Sequence, residues 1–113
     1  MSSVSPEEVL AAQGRLADLK AAQAFQKRVS ALVNTREFKE IIIDGFCRDN
    51  VARLVHQTAD PALSAEQRAD ALSMAQAGGH LLRWLSVGET QSEIIGREIA
   101  ELEEALLVVA HED

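Results

Sequence analysis

The segment Asn34 to Gln57, NTREFKEIIIDGFCRDNVARLVHQ, is the densest apolar stretch of the chain, and its spacing commits it to a helix. Phe38, Ile41, Ile42, Phe46 and Cys47 recur at three- and four-residue intervals, and Val51, Leu54 and Val55 continue the series. That pattern lines one side of a 3.6-residue turn. Ile43 widens the stripe beyond what one neighbour covers, so the segment is expected to sit between two or three other helices, at the centre of a small bundle.

The rest of the chain divides into equally long periodic pieces. Ser5-Pro6-Glu7-Glu8 reads as a helix start: Ser5 can cap the amide of Glu8, Glu8 can reach back to the amide of Ser5, and Pro6 has no hydrogen to leave unpaired in the first turn. The helix is expected over 6–33. Val9, Ala12, Leu16 and Leu19 alternate by three and four, and Ala22, Phe25, Val29 and Leu32 resume the series after one short step, like a change of register in a coiled-coil seam. At 1.5 Å per residue a helix of ~28 residues is about 42 Å long, against a radius of gyration of about 13 Å for a globule of this size, so part of it is expected to pack on another chain. Asn34 both ends this helix and caps the next, with Glu37 in the position of a capping box, and the second helix spans about 35–57. So short a connection either folds the two helices back on one another or bends the path sharply, and both remain open. Asp44 with Arg48, and Asp49 with Arg53, are spaced as helix-surface ion pairs.

Asp60 before Pro61 is pushed out of helical geometry, and Ser64 with Gln67 forms a second capping box that opens a helix over about 65–85. Gly78 and Gly79 inside it point to a neighbouring backbone passing close, or to a kink. Val87-Gly88 marks a turn, and the last helix covers about 89–110, with Ile95, Ile99, Leu102, Leu106 and Val109 alternating by four and three. Two prolines and six glycines, mostly near the ends of these pieces, fit an all-helical protein. The fold expected is therefore all-α, a four-helix bundle or a set of extended helical hairpins, in one domain over 1–113.

Charge is unevenly spread. Met1 to Gln57 carries eight Lys/Arg and seven Asp/Glu, a balance of +1, whereas Thr58 to Asp113 carries three and eleven, a balance of -8, which together give the net -7. The acidic last helix should repel nucleic-acid phosphates, and Arg15, Lys20, Lys27 and Arg28 are scattered without aromatic interleaving, so no nucleic-acid partner is expected. The chain has no apolar run of the ~20 residues that a membrane span needs and no signal-peptide pattern at its start. Cys47 cannot form an internal disulfide, and its place on the apolar stripe marks it as a buried small hydrophobe rather than a nucleophile.

No catalytic pattern emerges. His56, His80 and His111 stand on separate segments without metal-ligand spacing, Cys47 has no histidine partner in the sequence, and no Gly-x-Ser-x-Gly elbow occurs. Gly78-Gly79 lacks the strand and the lysine of a phosphate loop. No enzyme activity, cofactor or metal is expected. The residues expected to form an oligomer or partner interface are Leu16, Leu19, Phe25, Trp84, Ile95, Ile99, Leu102 and Leu106, from the two seams and the single tryptophan.

The run NTREFKEIIIDGF, then Ala52-Arg53-Leu54-Val55, Ala59-Asp60-Pro61, a capped helix start and Ala75-Gln76-Ala77-Gly78-Gly79-His80-Leu81-Leu82-Arg83-Trp84-Leu85, resembles a group of short helical proteins of tailed bacteriophages, encoded near head and portal genes. The resemblance covers Asn34 to Leu85 and consists of helix caps and apolar spacing. It implies a phage origin and a part in virion assembly. The partners expected are further copies of the chain and a larger phage or host protein, and the place expected is the host cytoplasm, with association to the virion as the alternative. The resemblance carries over no functional residue. Two readings follow: a non-enzymatic assembly protein that forms a homo-oligomer through its long helices, or a small acidic inhibitor of a host enzyme or defence complex. A third, a helical oligomer that binds a small molecule between Gly78, Gly79 and Trp84, rests on those residues alone.

Overall fold

Both reciprocal caps are present in the computed structural model, which describes residues 4–111. The Glu8 amide donates to Ser5 Oγ at 3.2 Å and the Ser5 amide to Glu8 Oε2 at 3.4 Å, and helix α1 follows over Pro6–Val33. Ser64 and Gln67 repeat the arrangement, at 3.1 Å from the Gln67 amide to Ser64 Oγ and 2.9 Å from the Ser64 amide to Gln67 Oε1. Asp60 Oδ1 accepts from the Ala62 amide at 2.9 Å and shapes the turn before that cap. The protein is all-α, with no strand among the described residues.

The junction after α1 uses its polar residues differently from expectation. Asn34 donates its side-chain amide to the Ser30 carbonyl at 2.9 Å, so it completes the end of α1. Thr35 takes the capping role instead, its Oγ1 accepting from the Phe38 amide at 3.2 Å and its carbonyl from Lys39. With Asn34 committed backwards, the next hydroxyl is the one free to cap.

From Phe38 to Asn50 the chain is a π-helix, and it returns to α-helical geometry in α2, Val51–Thr58. A π-helix closes i to i+5 hydrogen bonds and is rare beyond one turn. Here it corrects the apolar stripe expected from an α-helical period. Phe38, Ile42, Cys47 and Val51, spaced four, five and four residues apart, turn inward, with Cys47 buried, and Ile43 is half-buried as well. Ile41 and Phe46, which an α-helix would place in that stripe, are exposed at 65% and 39%. Of the surface pairs, Asp44 and Arg48 meet at 3.2 Å, while Arg53 donates to Asn50 rather than to Asp49.

The two helices expected over 65–85 and 89–110 are one helix, α3, Ala65–His111. No turn occurs at Val87-Gly88, and Gly88 has no positive φ. A lone glycine costs a helix only about 1 kcal/mol relative to alanine, and no proline or cap accompanies it to end the helix. What stands beside it is the far end of a flexible side chain: a Cβ on Gly88 would lie 2.9 Å from Oε1 of Gln26.

The chain separates into two compact units, one formed by Ser30–Val87 and the other by the residues on either side of it. In the first, the π-helix and α2 lie antiparallel to the first half of α3. Leu54 is buried with Ala71 and Ala75, Val51 packs against that cluster, and Cys47 and Val51 lie over Gly78. Gly79 faces open space, so the close backbone approach expected of the glycine pair belongs to Gly78 alone. The alanines and Gly78 let the backbones come together around one large side chain, whose burial contributes on the order of 1.5–3 kcal/mol.

In the other unit, α1 up to Val29 packs with α3 from Gly88. Leu19 and Ile99 are buried. The inward stripe of α1 runs through Leu16, Leu19, Gln23 and Gln26 in steps of three, four and three; of the series expected after Leu19, Ala22 and Val29 are half-buried with it, while Phe25 and Leu32 are exposed. Gln23 and Gln26 occupy seam positions as polar residues, which hides the unbroken repeat from an apolar count.

Candidate interaction surface

The eight residues expected at an interface divide by depth. Leu19 and Ile99 are buried at 6% and 8%, so the chain's own packing takes them up. Leu16, Ile95, Leu102 and Leu106 are half-buried along the same helices. Phe25 and Trp84 are exposed at 50% and 54%, Phe25 on the α1 unit and Trp84 on the α2 unit.

Trp84 owes its position to the pitch of α3. The residues that turn inward in that half, Ala71, Ala75 and Gly78, advance by four and three, and Trp84 lies six residues beyond Gly78, off that line. Val87, one turn further, is also exposed and lies beside it. On the unit with α1, Leu107 and Val108 are exposed at 60% and 54%. The sequence carries a signal for these two that the seam count passes over: Leu106, Leu107, Val108 and Val109 are consecutive, and four successive helical positions cannot share one face. Ile41 on the π-helix and Met74 on α3 are further exposed apolar residues outside the expected set.

Charge is arranged between α1 and the acidic end of α3. Arg15 Nη2 reaches Glu98 Oε2 at 2.8 Å, and Lys20 Nζ reaches Glu103 Oε1 at 3.3 Å. Basic residues that look scattered in sequence thus meet two of the acids that give α3 its charge. Glu112 and Asp113, also counted in that acidic end, lie outside the described residues.

The remaining chemistry is sparse. Open clefts among the described residues include one within the α2 unit lined by Gln57, Asp60, Leu63, Gln67, Asp70 and Met74, and one between Arg15, Glu98 and Leu102. Among the described residues no three His, Cys, Asp or Glu side chains stand close enough to hold a metal ion, and no helix is long and apolar enough to cross a membrane. Burial pushes the Cys47 thiol above its ordinary range, and the Arg48 cation beside it pulls part of the way back. Its environment is that of a packed residue.

These features define a class: an all-α protein of long helices with thin internal packing and large apolar side chains left on the helix surfaces. Comparison of the chain with protein-family models, with curated proteins and with solved structures found no match in any of the three.

Proposed function

We propose that this chain is a non-enzymatic assembly protein that self-associates through its long amphipathic helices and docks on a larger component of a tailed-phage virion. The observation that carries the reading is the balance between hydrophobic side chains inside and outside. Among the described residues six hydrophobics are buried, none of them below 2% exposure, while fourteen large hydrophobics are exposed. Single exposed apolar residues are ordinary, but a pair one helical turn apart such as Trp84 with Val87 forms a surface that association covers. Tryptophan and phenylalanine are also the residues on which interfaces concentrate their binding energy. The virion setting rests on the resemblance over Asn34 to Leu85.

Light scattering on the purified chain, together with mass spectrometry of purified heads and proheads, tests the proposal. An oligomer that is also found in particles is the expected result. A strict monomer missing from particles would end the proposal.

An acidic inhibitor that imitates nucleic acid at a basic host surface is the second reading, carried by the acids of α3. Glu98 and Glu103 are already engaged by Arg15 and Lys20, which leaves Glu101 and Glu104 as the solvent-facing acids of that stretch. A single salt-sensitive host partner in affinity capture would favour it over assembly.

A further inference from the structure

We propose that the outward face of α1 is a self-association surface on which a second copy of the chain lays its own α1 antiparallel, so that Glu7 of each copy meets Arg28 of the other and Leu10 meets Phe25. Such a contact rests on the self-association proposed above and gives it one surface and one direction.

Helix α1 has two faces. One, through Leu16, Leu19, Gln23 and Gln26, packs with α3. At about 100° per residue, Glu7, Leu10, Gly14, Ala21, Phe25 and Arg28 fall within about 60° of one another on the opposite side. All six are exposed, Leu10 at 68% and Phe25 at 50%. A Cβ on Gly14 would meet nothing within 4 Å, so the middle of this face is open. Glu7 and Arg28 make no ion pair among the described residues, in contrast to Arg15 and Lys20, which α3 engages.

The order of residues along the face selects a second copy as its occupant. Their positions are symmetric about the point between Ala17 and Asp18: Glu7 and Arg28 lie equally far from it, as do Leu10 and Phe25, and Gly14 and Ala21. A two-fold axis through that point brings each of these pairs together twice, which is the self-complementarity that a symmetric dimer needs. Charge fixes the direction. Antiparallel copies place an acid against a base at both ends, whereas parallel copies set Glu7 against Glu7 and Arg28 against Arg28. Between the ends, Gly14, Ala17 and Ala21 let the two axes approach toward the lower end of the roughly 8–10 Å range of packed helices. Leu10 and Phe25 then fill the space on either side of that close approach, and Asp18 lies at the rim.

Charge reversal tests the pairing and thiol cross-linking tests the direction, both on the full chain. Light scattering over a concentration series gives the Kd of self-association, with circular dichroism as the check on helix content. In Glu7→Lys and in Arg28→Glu two attractions per dimer become two repulsions, and the Kd is expected to rise about 10-fold or more. The double variant Glu7→Lys/Arg28→Glu restores opposite charge at both ends and is expected to return the Kd to within about 3-fold of the wild type. Effects of the two charges on α1 itself would add in the double variant instead of cancelling. Cys47 is the only cysteine, so the cross-link is read in a Cys47→Ala chain. Gly14→Cys mixed with Ala21→Cys is expected to form a disulfide between copies on mild oxidation. Either variant alone is expected to form little, because position 14 stands about 10 Å along the axis from its own counterpart, beyond the reach of a disulfide.

A double variant that associates no better than the single ones overturns the antiparallel contact. So does a disulfide that forms as readily in Gly14→Cys alone as in the mixture. A wild-type chain that is monomeric at every concentration ends the self-association reading itself, whereas an oligomer indifferent to both charge reversals ends only the α1 contact.

Discussion

Gly78 lies so close beneath Val51 that a Cβ on it would stand 2.6 Å from Val51 Cγ2 and 3.3 Å from the Cα of Cys47. One of these neighbours is backbone and the other a β-branched side chain with little rotamer freedom, so neither yields cheaply. Overpacking of this kind costs about 1–3 kcal/mol, against about 1 kcal/mol that alanine recovers as a better helix former. Gly78→Ala is therefore expected to lower the unfolding free energy by about 2 kcal/mol. Gly79→Ala, one residue on and facing open space, is expected to raise it by about 0.5–1 kcal/mol. Urea titration of the two variants checks the opposite signs, and two shifts of the same sign would mean that α3 does not present Gly78 to the π-helix.

Gly88 makes a different contact, with the far end of the Gln26 side chain at 2.9 Å, and that end can swing away. Gly88→Ala is expected to be neutral or stabilising by up to about 1 kcal/mol, and to keep the ellipticity at 222 nm. A glycine needed for a turn would respond in the opposite way, by losing both helix content and stability.

That difference explains what could be read in advance. Where the determinant is local, at Ser5 with Glu8 and at Ser64 with Gln67, residue identity and spacing specify the helix start, and the structure has both caps. Gly88 is ambiguous because glycine serves both turns and close approaches, and only the presence of Gln26 beside it tells them apart. The π-helical period was illegible because an apolar count assumes a 3.6-residue turn, and Phe38 and Ile42 fall in one column with Cys47 and Val51 only at the longer π-helical period. An apolar count also cannot see Gln23 and Gln26 in the seam, so it sent the stripe through Phe25, which is exposed. At the interaction surface the apolar supply was visible, but how deeply each side chain sits depends on partners that only the folded chain provides.

The pair Arg15 and Glu98 tests how much the charge complementarity between α1 and α3 is worth. Both side chains are solvent-accessible, at 61% and 37%, so the 2.8 Å contact is screened. A double-mutant cycle with Arg15→Ala and Glu98→Ala is expected to return a coupling of about 0.2–1 kcal/mol, shrinking in 1 M salt. A larger, salt-insensitive coupling would show that association buries the pair.

Cys47 links packing to pH. Burial raises its pKa in the folded chain, so the unfolded chain releases the thiol proton first. The stability tied to the neutral thiol is fully present below the unfolded thiol pKa of about 8.5 and is lost as the pH rises through the higher folded value. The difference in Tm between wild type and Cys47→Ala is expected to hold steady from pH 6 to about 8 and to move against the wild type above about 9, where subtracting the variant removes the contribution of the lysines. A difference that stays constant up to pH 10 would place the thiol in water.

Trp84 gives the most direct reading of self-association. It is the only tryptophan and is 54% exposed in the isolated chain, so its emission reports cover from another copy without interference. Removing a side chain that touches little inside its own unit costs folding no more than about 0.5 kcal/mol, whereas an aromatic anchor at an interface costs association upwards of about 2 kcal/mol. Trp84→Ala and, separately, Phe25→Ala on the other unit are therefore expected to leave the concentration-independent part of the unfolding curve in place and to lower the molar mass measured by light scattering. In the wild type the Trp84 emission should move to shorter wavelength as concentration rises through the association range. Emission that stays red-shifted at every concentration, with an unchanged molar mass in both variants, would take Trp84 and Phe25 out of the interface and leave Leu107 and Val108 as the next residues to substitute.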